Sequence, residues 1–242
     1  MKKLFLILPF LFLGCGSGIN YSETQVINGV ETSSYPAVTS LKLFHSNGSR
    51  GLCTGTFIKS NLILTAAHCV DGVKGVEVLG HRASRIIYNS KHSYTWEGLG
   101  HDFALVEFSE EISPNIMEVS TTPLLSGQIM TLIGYGINTY IPYREGSGSK
   151  RIGFNTYRMN DYLARGIVQF EGLQLPVNSR GTYLNASVGQ GDSGGPLIAN
   201  GKIVGVASAQ ALYNDVNSSY YSYTVGENFK DFMFRASKVL EL

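Results

Sequence analysis

Short runs of alternating apolar and polar residues, separated by turn-forming residues, fill most of this chain. Val38 to Phe44 and Gly51 to Ile58 alternate with the two-residue period of strands, and Ser46-Asn47-Gly48-Ser49 reads as the loop between them. Leu62-Ile63-Leu64 is apolar throughout, as a buried strand is. Val76 to Leu79, Arg85 to Tyr88 and Phe103 to Phe108 read as further strands, followed by an alternation over Leu163 to Leu175 and by Ile203 to Ser208. Between them, Ser109 to Pro123 is polar and aperiodic. Thr139 to Arg151 carries breakers, glycines and charges and reads as a long exposed loop, and Tyr213 to Ser219 is rich in turn residues. Only the end of the chain has a helical period. There Phe229, Phe232, Met233, Ala236, Val239 and Leu240 share one face, with Lys230, Asp231, Arg235 and Lys238 opposite. The pattern predicts an all-β fold closed by a C-terminal α-helix.

Composition narrows this picture. With 242 residues the chain makes one large domain or two small lobes, and its 28 glycines, 14 tyrosines and 12 phenylalanines suit strands. Charged residues are 15% and the net charge is +1, which argues against a nucleic-acid partner or a polybasic membrane patch. At the start, Lys2 and Lys3 precede an apolar core from Leu4 to Leu13, shorter than the about 20 residues of a membrane-crossing helix. Residues 1–14 are therefore expected to be an export signal. Leu11-Phe12-Leu13-Gly14-Cys15 resembles the lipobox of bacterial lipoproteins, which implies lipidation of Cys15 and a membrane-anchored, exported protein. Residues 15–25 then form a polar tether. Of the three cysteines, Cys53 and Cys69 remain to pair.

Candidate chemistry sits in three separated segments. Gly189-Gln190-Gly191-Asp192-Ser193-Gly194-Gly195-Pro196-Leu197 surrounds a serine with glycines, whose backbone can press close to a substrate. The N–H groups of Gly191 and Ser193 could there point at a developing oxyanion. Taken alone, the same stretch is also an ordinary turn. Thr65-Ala66-Ala67-His68-Cys69 follows the apolar strand, and its small residues let the His68 ring sit tightly in a cleft. A Cys53–Cys69 bridge would staple that histidine loop to the preceding strand, contributing about 3 kcal/mol in the chain-entropy model. The same cysteines and histidine could suggest a metal site, but they show no CxxC or HExxH spacing, so no metal is expected. In His101-Asp102-Phe103-Ala104-Leu105-Val106, the apolar run carries Asp102 inwards, where its carboxylate needs a partner such as a histidine N–H.

TAAHC, DFALV and GQGDSGGPL, in the order His68, Asp102, Ser193, resemble the chymotrypsin/trypsin family of serine endopeptidases. Leu132-Ile133-Gly134-Tyr135-Gly136 is similar to a further family segment. The resemblance implies two six-stranded antiparallel β-barrels, about 26–120 and 121–225, with a helix at about 228–240 packed on the second barrel. It implies a catalytic triad of His68, Asp102 and Ser193, an oxyanion hole at Gly191 and Ser193, and no cofactor. It also implies that Val26, freed as a new N-terminus, pairs with Asp192. Gln25 precedes that junction, so the activating protease would not be trypsin-like, and the same cut would release the protein from its anchor. By position, Ser187 falls at the base of the primary pocket, with Ser208, Gln210 and Tyr221 along its walls. A neutral base and bulky walls imply small or uncharged residues before the scissile bond. Protein or peptide substrates, an activating protease and a monomeric state complete the expectation. The rival reading is a catalytically silent, surface-anchored relative that only binds.

Overall fold

The computed structural model of the chain describes residues 26–136, 148–173, 185–213 and 216–240. The expected export signal, Cys15, the expected tether with Gln25 and most of the loop expected at 139–151 lie outside the described residues.

The first half is built from β1 (Val30–Glu31), β2 (Val38–His45), β3 (Arg50–Lys59), β4 (Leu62–Thr65), the short helix α1 (Ala67–Val70), β5 (Val73–Val78), β6 (His81–Arg82), β7 (Arg85–Tyr88), α2 (Trp96–Leu99) and β8 (Ala104–Glu107). All but β1 of these strands form one curled antiparallel sheet in the order β6-β5-β2-β3-β4-β8-β7. The second half supplies β9 (Ile129–Gly134), β10 (Arg151–Thr156), β11 (Ile167–Leu173), β12 (Pro196–Ala199), β13 (Lys202–Tyr213) and β14 (Val216–Tyr223). With β1 they form a second antiparallel sheet, β1-β10-β9-β12-β13-β14-β11. Each sheet thus has the six strands expected of a barrel, with one two-residue strand, β6 or β1, added at an edge. The chain is all-β apart from its short helices and the C-terminal α3 (Glu227–Leu240).

Alternation explains the first sheet. In β2, Leu41 and Leu43 are buried while Lys42 between them is exposed, because successive side chains point to opposite faces. Leu62, Ile63 and Leu64 of β4 are all buried, since β4 is covered on both faces. Several segments differ from expectation. Leu163 to Arg165, expected to be strand, belong to a 3-10 turn (Asp161–Arg165), and β11 starts only at Ile167. β10 begins inside the stretch expected to be a loop, and pairs with β9 from Arg151↔Gly134 to Thr156↔Ile129. The stretch expected to be a turn at 213–219 is instead mostly β14, because Asn217 and Ser219 point inwards and find buried partners. Asn217 Nδ2 donates to Ser187 Oγ and to the Val188 carbonyl, and Ser219 Oγ accepts from the Val188 N–H.

The helix expectation needs a correction. α3 packs on the first half, not the second. Phe229 and Phe232 close on Phe103, with ring centroids 4.9 and 6.0 Å apart, and Arg235 donates to Asn89 Oδ1. Phe103 is the strongest apolar anchor next to Asp102, and its ring is fully buried. The helix therefore buttresses the segment that holds this carboxylate.

Candidate active site

His68 lies in α1, one turn of helix that begins directly after β4 and is stapled through Cys69 to Cys53 of β3, with Cα atoms 6.2 Å apart. The disulfide uses both cysteines of the Cys53, His68 and Cys69 group, so their sulfurs are not free ligands. Asp102, 3% exposed, is carried to His68 by the turn before β8. It grips the histidine twice: Oδ1 accepts the main-chain N–H of His68 at 2.9 Å, and Oδ2 meets ring Nδ1 at 2.6 Å. Ser208 Oγ adds a third bond to Oδ2, also at 2.6 Å. Burial on its own would raise the Asp102 carboxyl, but these bonds from His68 and Ser208 together hold it below the ordinary aspartate value.

Ser208 reaches Asp102 because of a bulge. β13 pairs with β14 through Ala207↔Tyr221 and then Ala209↔Tyr220, leaving Ser208 as the extra residue. A bulge turns one side chain out of the regular alternation, and here it turns the hydroxyl onto the carboxylate. Sequence reasoning placed Ser208 in the substrate strand and missed this contact, because a bulge leaves no mark in the residue pattern.

Ser193 sits on the loop between Gly189 and β12. Gly191 and Gly194 adopt φ +96° and +80°, and a Cβ on Gly194 would come within 2.1 Å of Thr65 Oγ1. Glycine is required here because the loop presses against the residues that lead into His68. From residue 191 to residue 195 the N–H of Asp192 donates to Gly189, that of Gly194 to Ala207 and that of Gly195 to Asp192. Within that stretch, among the described residues, the N–H groups of Gly191 and Ser193 donate to nothing. They are the two expected for an oxyanion. No hydrogen bond joins His68 Nε2 to Ser193 Oγ among the described residues; the polar neighbour of Nε2 is Cys69 Sγ, at 3.9 Å.

Asp192 is buried, and both its oxygens are taken by main-chain donors: Oδ1 by Gly136 and Oδ2 by Gly189. Burial lifts its carboxyl to about 7, against the pull of these two bonds. Val26 is 1% exposed and packed in the core of the second half, and the Ile27 carbonyl accepts from Ser187. No hydrogen bond joins Val26 to Asp192 among the described residues. The donors at Gly136 and Gly189 were not legible in the sequence.

Beside Ser193 lies a cavity of about 260 Å³ lined by Tyr94, Val188, Gln190, Ala207, Ser208 and Gln210 among others. Tyr94 also neighbours His68, with ring centroids 6.3 Å apart, so one wall of the cavity adjoins the histidine. Of the four residues expected around a substrate, Ser208 and Gln210 line this cavity. Ser187 and Tyr221 do not; they are buried in the layer of Asn217 and Phe170, and Tyr221 stacks on Phe170 at 5.6 Å. Among the described residues, no Asp, Glu, Lys or Arg lines the cavity.

Comparison with known proteins gives one consistent answer. A family model described as Trypsin matches residues 26–233. The chain is 30% identical over 227 residues to a chymase of Papio hamadryas, covering 85% of this chain and 88% of the chymase. It is 27% identical over 196 residues to a trypsin-like protease of Streptomyces glaucescens, covering 75% and 69%. Among solved structures it resembles HL collagenase with a TM-score of 0.66 at 21% identity, over 89% of this chain and 99% of that one.

Proposed function

The chain belongs to the trypsin family of serine proteases, and on that premise we propose that it is a serine endopeptidase working through His68, Asp102 and Ser193. The observation that carries this reading is the doubly held His68–Asp102 pair facing a serine loop with two unengaged N–H groups. In the proposed mechanism His68 Nε2 takes the Ser193 proton as Oγ attacks a peptide carbonyl, and then gives it to the leaving amine. Asp102 fixes the tautomer, since its bond to Nδ1 leaves Nε2 facing the cleft, and it stabilises the imidazolium. The N–H groups of Gly191 and Ser193 receive the oxyanion, at about 3 to 4 kcal/mol for each donor. Water then repeats the attack on the acyl-enzyme. The His68–Ser193 hydrogen bond forms when substrate closes the cleft, as catalytic contacts often tighten only in the complex.

Substrate preference follows from the cavity. Its small volume, its alanine and valine walls and the Gln190 and Gln210 amides at its rim suit a small or medium uncharged residue before the scissile bond. A buried Ser187 offers no countercharge to lysine or arginine. The protein is exported, anchored by a lipid on Cys15, and made as a zymogen. A cut after Gln25 frees the Val26 amine for Asp192 and releases the monomeric enzyme. A panel of peptides differing only at that residue, offered to protein beginning at Val26, tests the preference. Cleavage after alanine, valine or leucine supports it; cleavage mainly after arginine or lysine refutes it.

The missing His68–Ser193 hydrogen bond favours one other reading, a silent relative that binds peptides without cutting them. Turnover by the wild-type chain, abolished in Ser193→Ala, separates the two.

A further inference from the structure

Thr54 holds the serine loop without being one of the three residues proposed for catalysis. It lies in β3, fully buried, next to the stapled Cys53. Its hydroxyl donates to the Gly191 carbonyl at 2.8 Å and accepts the Tyr135 N–H at 3.0 Å, while its own N–H donates to the Ser193 carbonyl at 2.8 Å. Its carbonyl in turn accepts from Thr65 Oγ1. One residue of the first sheet thus holds the carbonyls on both sides of Asp192, and holds the Tyr135–Gly136 strand end whose next N–H bonds Asp192 Oδ1. Peptide units are planar: the Ser193 N–H lies in the unit between these two carbonyls and the Gly191 N–H in the unit just before the first, so fixing the carbonyls limits how both can rotate. The contact is close as well as bonded: a Cβ on Gly191 would meet Gly136 Cα at 2.8 Å.

We propose that Thr54 is a positioning residue whose hydroxyl sets the direction of the Gly191 and Ser193 N–H groups for the developing oxyanion. This rests on the protease reading. Thr54→Val keeps the shape and removes the hydroxyl, leaving the Gly191 carbonyl and the Tyr135 N–H without their partner. The expected result is a fall in kcat of about tenfold to a hundredfold with KM nearly unchanged, because the loss is confined to the transition state. Thr54→Ser keeps the hydroxyl and is expected to restore kcat to within about threefold of wild type. Thermal unfolding of each variant is recorded alongside, and a purely structural role would lower stability without the kcat–KM split or the rescue by serine. A folded Val variant with wild-type kcat overturns the role of Thr54 alone. A wild-type chain that turns over no peptide overturns the protease reading on which it stands.

A second inference comes from the outer face of the first sheet and does not depend on catalysis. Phe44 of β2 lies opposite Arg50 of β3 and opposite Gly75 of β5. Gly75 has open space where a side chain would stand, and Arg82 of β6, beyond β5, reaches the Phe44 ring. The Arg50 and Arg82 guanidiniums approach from strands on opposite sides of β2 and lie 5.9 and 5.7 Å from the Phe44 ring centroid. Neither arginine has an ion-pair or hydrogen-bond partner among the described residues, while the nearby Glu77 is taken by Lys42 at 3.0 Å. The ring holds two planar forks in place with their donors unspent, an arrangement suited to carboxylates.

The geometry points to a docking surface for an acidic peptide segment of a protein partner. A dye-labelled peptide of about eight glutamates, titrated against the full chain by fluorescence anisotropy, tests it. Each arginine replaced (Arg50→Ala, Arg82→Ala) is expected to weaken binding about tenfold, and salt at about 1 M to weaken it further. Equal affinity in the wild type and the double variant overturns the proposal. So does binding to phosphatidylserine vesicles without binding to the peptide.

Discussion

At Asp102, two hydrogen bonds from side chains and one from the main chain meet a single carboxylate, and their sum outweighs the cost of burying it. The sign of the pH dependence follows. A carboxyl held below its ordinary value of about 3.9 adds stability above that pH, and this contribution is lost as pH falls through the depressed value. Removing the hydroxyl in Ser208→Ala takes one donor away, so the Asp102 carboxyl rises. We expect kcat/KM to fall about tenfold, and acid unfolding to begin at higher pH than in wild type. Kinetics at neutral pH and circular dichroism on acid titration check the two halves of this prediction. The residues proposed as a triad were legible in the sequence because each lies in a distinctive local run: small residues before His68, an apolar strand after Asp102, glycines around Ser193. Ser208, Thr54 and the Gly136 donor were not. Their roles come from a bulge and from contacts between strands far apart in sequence, which no local pattern records.

Among the elements, strands with one clean apolar face were readable, and strands that bury polar groups were not. Arg85 to Tyr88 was expected to be a strand and is β7 to the residue. The first four residues of β14 read as a turn, because Asn217 and Ser219 are polar yet fully buried. The helix α3 was legible from its period, but its docking side was not. Its apolar face fits either half equally well until Phe103 is seen to meet it. Val239, assigned to the apolar face, is 52% exposed. Phe232→Ala should cost about 3 to 5 kcal/mol in urea unfolding, since it leaves a cavity against Phe103. It should also lower activity, because the loosened segment carries Asp102. Reduction of the Cys53–Cys69 bridge should cost about 3 kcal/mol, the chain-entropy value for a loop of this length. Unfolding with and without a reductant measures it.

For the whole molecule, the serine loop is held by both sheets. Thr54 of the first binds the carbonyls of Gly191 and Ser193, while Ala207 of the second exchanges hydrogen bonds with Gly194 and Gly195. Asp192, buried between them with its carboxyl lifted to about 7, makes the uncut chain sensitive to pH. The native state keeps a proton there that the unfolded chain releases near pH 4, so stability should fall as pH rises from about 4 to about 7. If a cut after Gln25 frees the Val26 amine, as proposed, its ammonium offsets the carboxylate charge and the decline should disappear. Thermal unfolding of uncut and cut protein across this range compares them, and equal slopes would count against the pairing of Val26 with Asp192.

The central claim is that Ser193 is a nucleophile driven by His68. Mass spectrometry of the protein beginning at Val26, after exposure to a fluorophosphonate, tests it most directly. The account predicts one adduct, on Ser193, formed far more slowly in His68→Ala and absent from Ser193→Ala. An unlabelled wild-type chain, or labelling at the same rate without His68, would contradict it.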